Sequence, residues 1–119
     1  MNDSESLKKS RDFQNVYRHG VSYANRLLVM YIFDNAMDKN RLGISVSKKV
    51  GNSVVRHRVT RLIRESYRLN EQFFQKGLDI VVVARVQAKD TNYWDIEDAL
   101  LHLGNMHHII IGKELERKQ

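Results

Sequence analysis

Three features of this 119-residue chain predict an α+β domain. Two strand-sized apolar runs, at 26–33 and 41–47, come first. A long helical period that is basic on one side and apolar on the other follows from about Ser53 to Phe74, and a continuous β-branched run at 79–84 comes after it. With a helix before these elements, a helix after them and a further strand near Val21, the expected order is α-β-β-β-α-β-α. The length suits one domain spanning residues 1–119, with the charged ends 1–6 and 113–119 expected to be flexible.

The elements can be justified in turn. Ser10 is placed to cap a first helix through Phe13, Val16 and Tyr17, and Gly20 follows His19 as a stop. The runs RLLVMYIF and RLGISVS flank DNAMDKN, whose Asp and Asn residues suit a turn, so an antiparallel hairpin is expected. In the second run Leu42, Ile44 and Val46 alternate with Gly43, Ser45 and Ser47, giving one apolar face. Gly51-Asn52-Ser53 breaks the pattern and supplies an N-cap for the basic helix, which Gly77 should end. DIVVVA at 79–84 has the continuous apolar character of a buried central strand. Asn92 with Asp95 forms a cap signal for the last helix, whose apolar stripe is Ile96, Ala99, Leu100 and Leu103.

The middle helix carries the functional signal. Between Lys48 and Arg68 there are seven Lys or Arg, one histidine and a single acid, Glu65. At about 100° per residue, His57, Arg61, Arg64 and Arg68 share one arc, while Val55, Val59, Leu62, Leu69 and Phe73 fall nearly opposite. Such a helix can dock into a core and still present a row of guanidinium groups, each a planar fork matched to phosphate oxygens. Solvated helix faces usually mix signs at i,i+4 spacing; here Glu65 alone could bridge, to Arg61 or to Arg68.

Composition narrows the partners. The formal charge is +6 and the pI about 9.7, with further cations clustered at Lys8, Lys9 and Arg11, so polyanions are expected. No apolar run approaches the ~20 residues needed to span a bilayer, so no membrane partner is expected. The chain has no cysteine, which excludes disulfides and thiolate metal sites, and the N-terminus lacks a secretory apolar segment; a cytoplasmic location is expected.

The residues resemble a family, the protein subunit of bacterial ribonuclease P. The likeness runs through Asp12-Phe13-Gln14, Ala24-Asn25-Arg26, Gly43 to Lys49, Gly51-Asn52-Ser53-Val54, Arg56-His57-Arg58, Arg61 to Glu65 and Ala84-Arg85, and covers roughly Leu7 to Leu103. The ordered succession of S-x-S-K-K, G-N and clustered arginines is more specific than any one motif. Three positions depart from the pattern: His57 where the family usually has Asn, Thr60 where it often has Lys, and Val86 where a proline usually follows Ala-Arg.

The resemblance implies a two-layer α/β sandwich resembling the second domain of ribosomal protein S5, with a mainly antiparallel central sheet and a left-handed βαβ crossover that departs from the usual handedness. It implies a protein cofactor for a catalytic RNA that, with magnesium held mainly by the RNA, hydrolyses a phosphodiester to release the 5′ leader of precursor tRNA, in a 1:1 complex. Lys48, Lys49, Asn52, Arg56, His57, Arg58, Arg61, Arg64 and Arg68 would then contact the catalytic RNA. Phe13, Tyr17, Ser22, Asn25, Arg26 and Tyr31 would take the leader, with aromatic faces stacking on unpaired bases. On spacing alone Phe13 and Tyr17, four apart on a helix, read first as a core pair, because apolar i,i+4 pairs usually face a core.

No catalytic residue and no metal site are expected in the protein itself. Asp79 and Asp90 stand outside the last helix, Asp95 and Asp98 lie at its start where capping explains them, Glu97 belongs to the same turn, and His102, His107 and His108 lack a shared helical face. A DNA-binding helix-turn-helix is disfavoured because strands, not a short helix at turn spacing, precede the basic helix. A general RNA chaperone or ribosome-associated factor shares the electrostatics but does not account for the order of the motifs.

Overall fold

The structure, a computed structural model, describes residues 4–112. In chain order the elements are β1 (Glu5–Ser6), α1 (Ser10–His19), β2 (Val21–Ala24), β3 (Leu28–Asp34), β4 (Arg41–Ser45), α2 (Ser53–Asn70), β5 (Leu78–Ala84) and α3 (Tyr93–Met106), with 3-10 turns at Glu71–Phe73 and Val86–Asp90. Of the ends expected to be flexible, residues 1–3 and 113–119 lie outside the described residues, whereas Glu5–Ser6 pair with Arg41 and Leu42 as an edge strand.

The sheet is mixed, in the order β1-β4-β5-β3-β2. β4 runs parallel to both β1 and β5, and β3 runs antiparallel to β5 and β2. The expected hairpin between the first two long strands is therefore corrected: β5 lies between β3 and β4. The residues that read as hairpin chemistry instead arch over the start of β5 and grip it. Asn35 N–H donates to the Gly77 carbonyl at 2.9 Å, its Nδ2 donates to Asp79 at 2.9 Å, and buried Asn40 accepts from Leu78 N–H at 2.9 Å. A strand rich in β-branched residues with both faces covered needs two neighbours, and β5 obtains them here. The β4–α2–β5 connection is the parallel βαβ unit that the resemblance implies.

One face of the sheet, made by Leu28, Met30, Leu42, Ile80, Val82 and Ala84, packs against Val59, Ile63 and Tyr67 of α2 and Ile96, Leu100 and Leu103 of α3. These are the expected alternation of β4 and the expected stripe of α3. The opposite face is only partly covered. There α1 lays Phe13, Val16 and Tyr17 against Val81, Val83, Tyr31 and Phe33. The Phe13 ring rests on Gly43, where an added Cβ would stand 2.7 Å from the ring edge, so this helix can approach β4 only over a glycine.

Caps differ in how well the sequence announces them. Ser10 is the first residue of α1 rather than its cap; Lys9 holds that position without a side-chain cap bond, so packing of the apolar face fixes this helix. Asn52 caps α2 by accepting from Val55 N–H at 3.0 Å. Asn92 and Asp95 form a full capping box on α3. Helix α2 ends at Asn70, and Gly77, at φ +88°, serves the turn into β5 instead of the helix end.

Candidate nucleic-acid interface

Helix α2 presents its cations as the period predicts: His57, Arg61, Arg64 and Arg68 are all exposed. The opposite arc needs one correction. Val59 is buried and Val55 and Leu62 pack on the core, but Leu69 is 50 % exposed. The buried arc is completed instead by Ile63, Ser66, Tyr67 and Asn70. Two of these are polar and are satisfied locally or across helices: Ser66 donates to the Ile63 carbonyl at 2.9 Å, and Asn70 donates to the Ser66 carbonyl at 2.8 Å and to Glu97 at 2.9 Å. Counting apolar residues alone shifts the apparent face toward Leu69.

The cations have three different environments. Arg58 is committed to the fold, donating from Nη2 to the Thr91 carbonyl at 2.5 Å, which joins α2 to the approach of α3. Arg68 is bridged to Glu65 at 2.6 Å on the helix surface. The hydrogen bond between them holds the Glu65 carboxyl below its ordinary value and raises the Arg68 guanidinium. Arg61 and Arg64, with Lys48 and Lys49 in the turn before the helix, are exposed and have no ion-pair partner among the described residues.

Arg56 is half-buried and its Nε has no hydrogen-bond partner among the described residues. Thr60, which stands where a further cation would, turns its hydroxyl back to the Arg56 carbonyl at 2.9 Å. An open groove of about 540 Å³ runs along Ser53, Val54, His57, Arg58 and Arg61 at the helix N-terminal end. The helix dipole there favours anions, and the guanidinium groups of Arg58 and Arg61 line its wall.

A second surface lies on the partly covered sheet face. Tyr17 meets Tyr31 edge-on at 4.9 Å between ring centroids and stands 6.3 Å from Phe13. Both α1 aromatics are half-buried against the sheet, so the core-pair reading describes one side of each ring and leaves the other side available. Ser22 is the partner of Tyr31 across β2 and β3. The register adds Val29 and Val83, paired with each other on the same face and partly buried; the alternation of β3 and β5 carried that signal. Arg26 is exposed beside Asp95 and Asp98. Asn25 is occupied by the fold: its Oδ1 accepts from Leu27 and Leu28 N–H, and its Nδ2 reaches the Ala99 carbonyl at 3.0 Å and His102 at 3.2 Å.

The acids and histidines considered for chemistry are dispersed. Asp79 is buried in a bidentate pair with Arg41, Asp95 closes the capping box, Glu97 accepts from Tyr93 and Asn70, and His107 reaches the Met30 carbonyl at 2.9 Å. Among the described residues no group of three or more His, Cys, Asp or Glu is placed to hold a metal. No helix among them is long and apolar enough to cross a membrane.

An α+β fold with a basic helix on which Arg61 and Arg64 have no ion-pair partner among the described residues, and with a half-open aromatic sheet face, belongs to the class of small basic RNA-binding proteins. The chain belongs to the ribonuclease P protein family, whose model, described as Ribonuclease P, matches residues 1–107. It is 60% identical over 114 residues to the "Ribonuclease P protein component" of Lachnoclostridium phytofermentans, covering 96% of this chain and 98% of that one. It is 54% identical over 103 residues to the component of Alkaliphilus metalliredigens, covering 87% of this chain and 93% of that one. Among solved structures, the Staphylococcus aureus RNase P protein at 2.0 Å superposes with a TM-score of 0.82 at 40% identity, over 88% of this chain and 96% of that one. The Thermotoga maritima RNase P protein gives 0.78 at 34% identity, over 85% and 96%. Membership ties the chain to ribonuclease P and tRNA processing.

Proposed function

We propose that this chain is the protein cofactor of a ribonuclease P ribozyme in the cytoplasm, binding the catalytic RNA through α2 and the 5′ leader of precursor tRNA through the sheet face beside α1. The observation that carries the reading is the unpaired row of Arg61 and Arg64, continued by Lys48 and Lys49, in a chain of this family. Guanidinium groups without internal partners lower the repulsion between RNA phosphates brought close together. His57 extends the row as a hydrogen-bonding group, and Arg58 and Asn52 act by holding the shape of the helix start.

The chemistry in this reading belongs to the RNA. Magnesium, held mainly by the RNA in a 1:1 complex of RNA and protein, would supply the charge stabilisation and nucleophile activation needed for phosphodiester hydrolysis. The protein neutralises phosphates and, by organising the RNA, raises the affinity of the RNA site for magnesium. Phe13, Tyr17 and Tyr31 offer stacking faces that tolerate any base, which suits leaders of varied sequence.

The test is cleavage of a precursor tRNA at low magnesium by a bacterial ribonuclease P RNA with and without the protein. Stimulation that requires the RNA is expected; cleavage by the protein alone would return Asp79, Glu97 and the histidines to candidacy. RNA binding without stimulation would instead favour the chaperone alternative. Replacing Tyr17 by alanine should reduce the preference for precursor over mature tRNA, and an unchanged preference would remove Tyr17 from the leader surface.

A further inference from the structure

Trp94 is the one tryptophan of the chain and is 68 % exposed, more than any other aromatic side chain among the described residues. It sits in the first turn of α3, where neither core packing nor capping requires an indole: Ile96, Ala99 and Leu100 provide the buried stripe, and Asn92 with Asp95 provides the cap. Its ring is steadied by Tyr93, edge-on at 5.1 Å, and Tyr93 is fixed in turn by its hydroxyl bond to Glu97 at 2.9 Å. The surrounding backbone is tied to the basic helix by Arg58 bonding the Thr91 carbonyl three residues earlier.

The Glu97 oxygen that accepts from Tyr93 also accepts from Asn70 at the end of α2 at 2.9 Å, so this turn of α3 lies against the basic helix. The indole therefore stands on a rigid turn at the flank of the arginine row. The carboxylates of Asp90, Asp95 and Asp98 lie on or just before the same turn. They disfavour a phosphate there, yet they can accept from the exocyclic amino groups of a base. A steadied aromatic face beside the basic helix, on a turn whose acids disfavour phosphate, matches an unpaired nucleobase rather than the sugar-phosphate backbone.

We infer that Trp94 is a base-stacking platform that receives an unpaired nucleotide of the RNA whose phosphates lie on α2. The inference rests on the RNA-binding reading above and adds to it a contact that is indifferent to salt. Neighbouring arginines gain from each phosphate and lose that gain as salt rises; a stacked base does not.

The experiment titrates the full-length protein with a bacterial ribonuclease P RNA, following Trp94 emission and, in parallel, retention of the RNA on a filter across a salt series. Emission should be quenched in step with retention. Trp94→Ala should weaken binding by about 5- to 150-fold, the range expected for one stacked base, with the slope against log salt unchanged, while Trp94→Phe keeps most of the affinity. Far-UV circular dichroism should be the same for all three, since the side chain is outside the core. Full retention with unchanged emission, wild-type affinity for Trp94→Ala, or a Trp94→Ala loss that comes with a shallower salt slope would each overturn the platform while leaving RNA binding intact. Absence of retention by the wild-type protein would overturn the RNA-binding reading and the platform with it.

Discussion

Arginine has two contrasting fates in this molecule. At one end of the sheet Arg41 donates through Nε and Nη2 to both oxygens of Asp79 at 2.8 and 2.6 Å. Asp79 is only 1% exposed and also accepts from Asn35. On α2, Arg61 and Arg64 reach solvent with no ion-pair partner among the described residues, the neighbouring Glu65 being paired with Arg68. The first arrangement fixes β4 to β5, and the hydrogen bond to Asp79 raises the Arg41 guanidinium further above its ordinary value. The second leaves like charges to repel one another until an anion arrives. Matched charge serves the fold and unmatched charge serves the partner.

The largest effect should come from breaking the matched pair. Asp79→Ala leaves Arg41 and Asn35 without their acceptor and should cost about 3 kcal/mol, seen as a lower urea midpoint; a change within experimental error would mean that the pair contributes nothing. Replacing Arg61 and Arg64 together by alanine should do the opposite, with RNA affinity falling about tenfold or more and stability changing by less than about 0.5 kcal/mol. Unfolding of that variant would contradict their placement outside the core.

Smaller effects sharpen the contrast on the last helix. Asn92→Ala removes the capping box and should cost about 1 kcal/mol in thermal or urea unfolding; an unchanged midpoint would mean that the box does not hold the helix start. The least effect concerns pH. Burial holds the His107 imidazole below its ordinary value of 6.5, so the unfolded chain binds more protons than the native one around and below that pH. Stability should therefore decline as pH falls through 6.5 and below, and His107→Gln should flatten that slope; an unaltered slope would assign the acid sensitivity to other groups.

The unmatched half of this contrast was legible in the sequence, because it rests on local rules, whereas the Arg41–Asp79 pair joins residues 38 apart and was not. The basic arc of α2, the Asn52 cap and the Asn92–Asp95 box follow from helical period and short-range hydrogen bonding. The sheet order was not legible. Asp34, Asn35 and Asn40 carry turn chemistry, but whether a turn closes a hairpin or arches over a third strand depends on β5, far along the chain. The buried polar arc of α2 was hidden for a related reason: Asn70 is tolerated inside because Glu97, on another helix, accepts a hydrogen bond from its amide. Asn25 matched the leader-binding pattern by sequence, yet its side chain is taken up by Leu27, Leu28, Ala99 and His102. The two-residue strand β1 is too short to leave a periodic signal.

The most direct test of the division between matched and unmatched charge is the salt dependence of binding to ribonuclease P RNA, for the wild-type chain and for the Arg61→Ala, Arg64→Ala variant. If about six phosphates are neutralised, log affinity should fall with log salt at a slope of about −4 to −5, and the double variant should be shallower by nearly 2. A shallow wild-type slope, or the same slope in both proteins, would mean that the exposed arginines of α2 are not what holds the RNA.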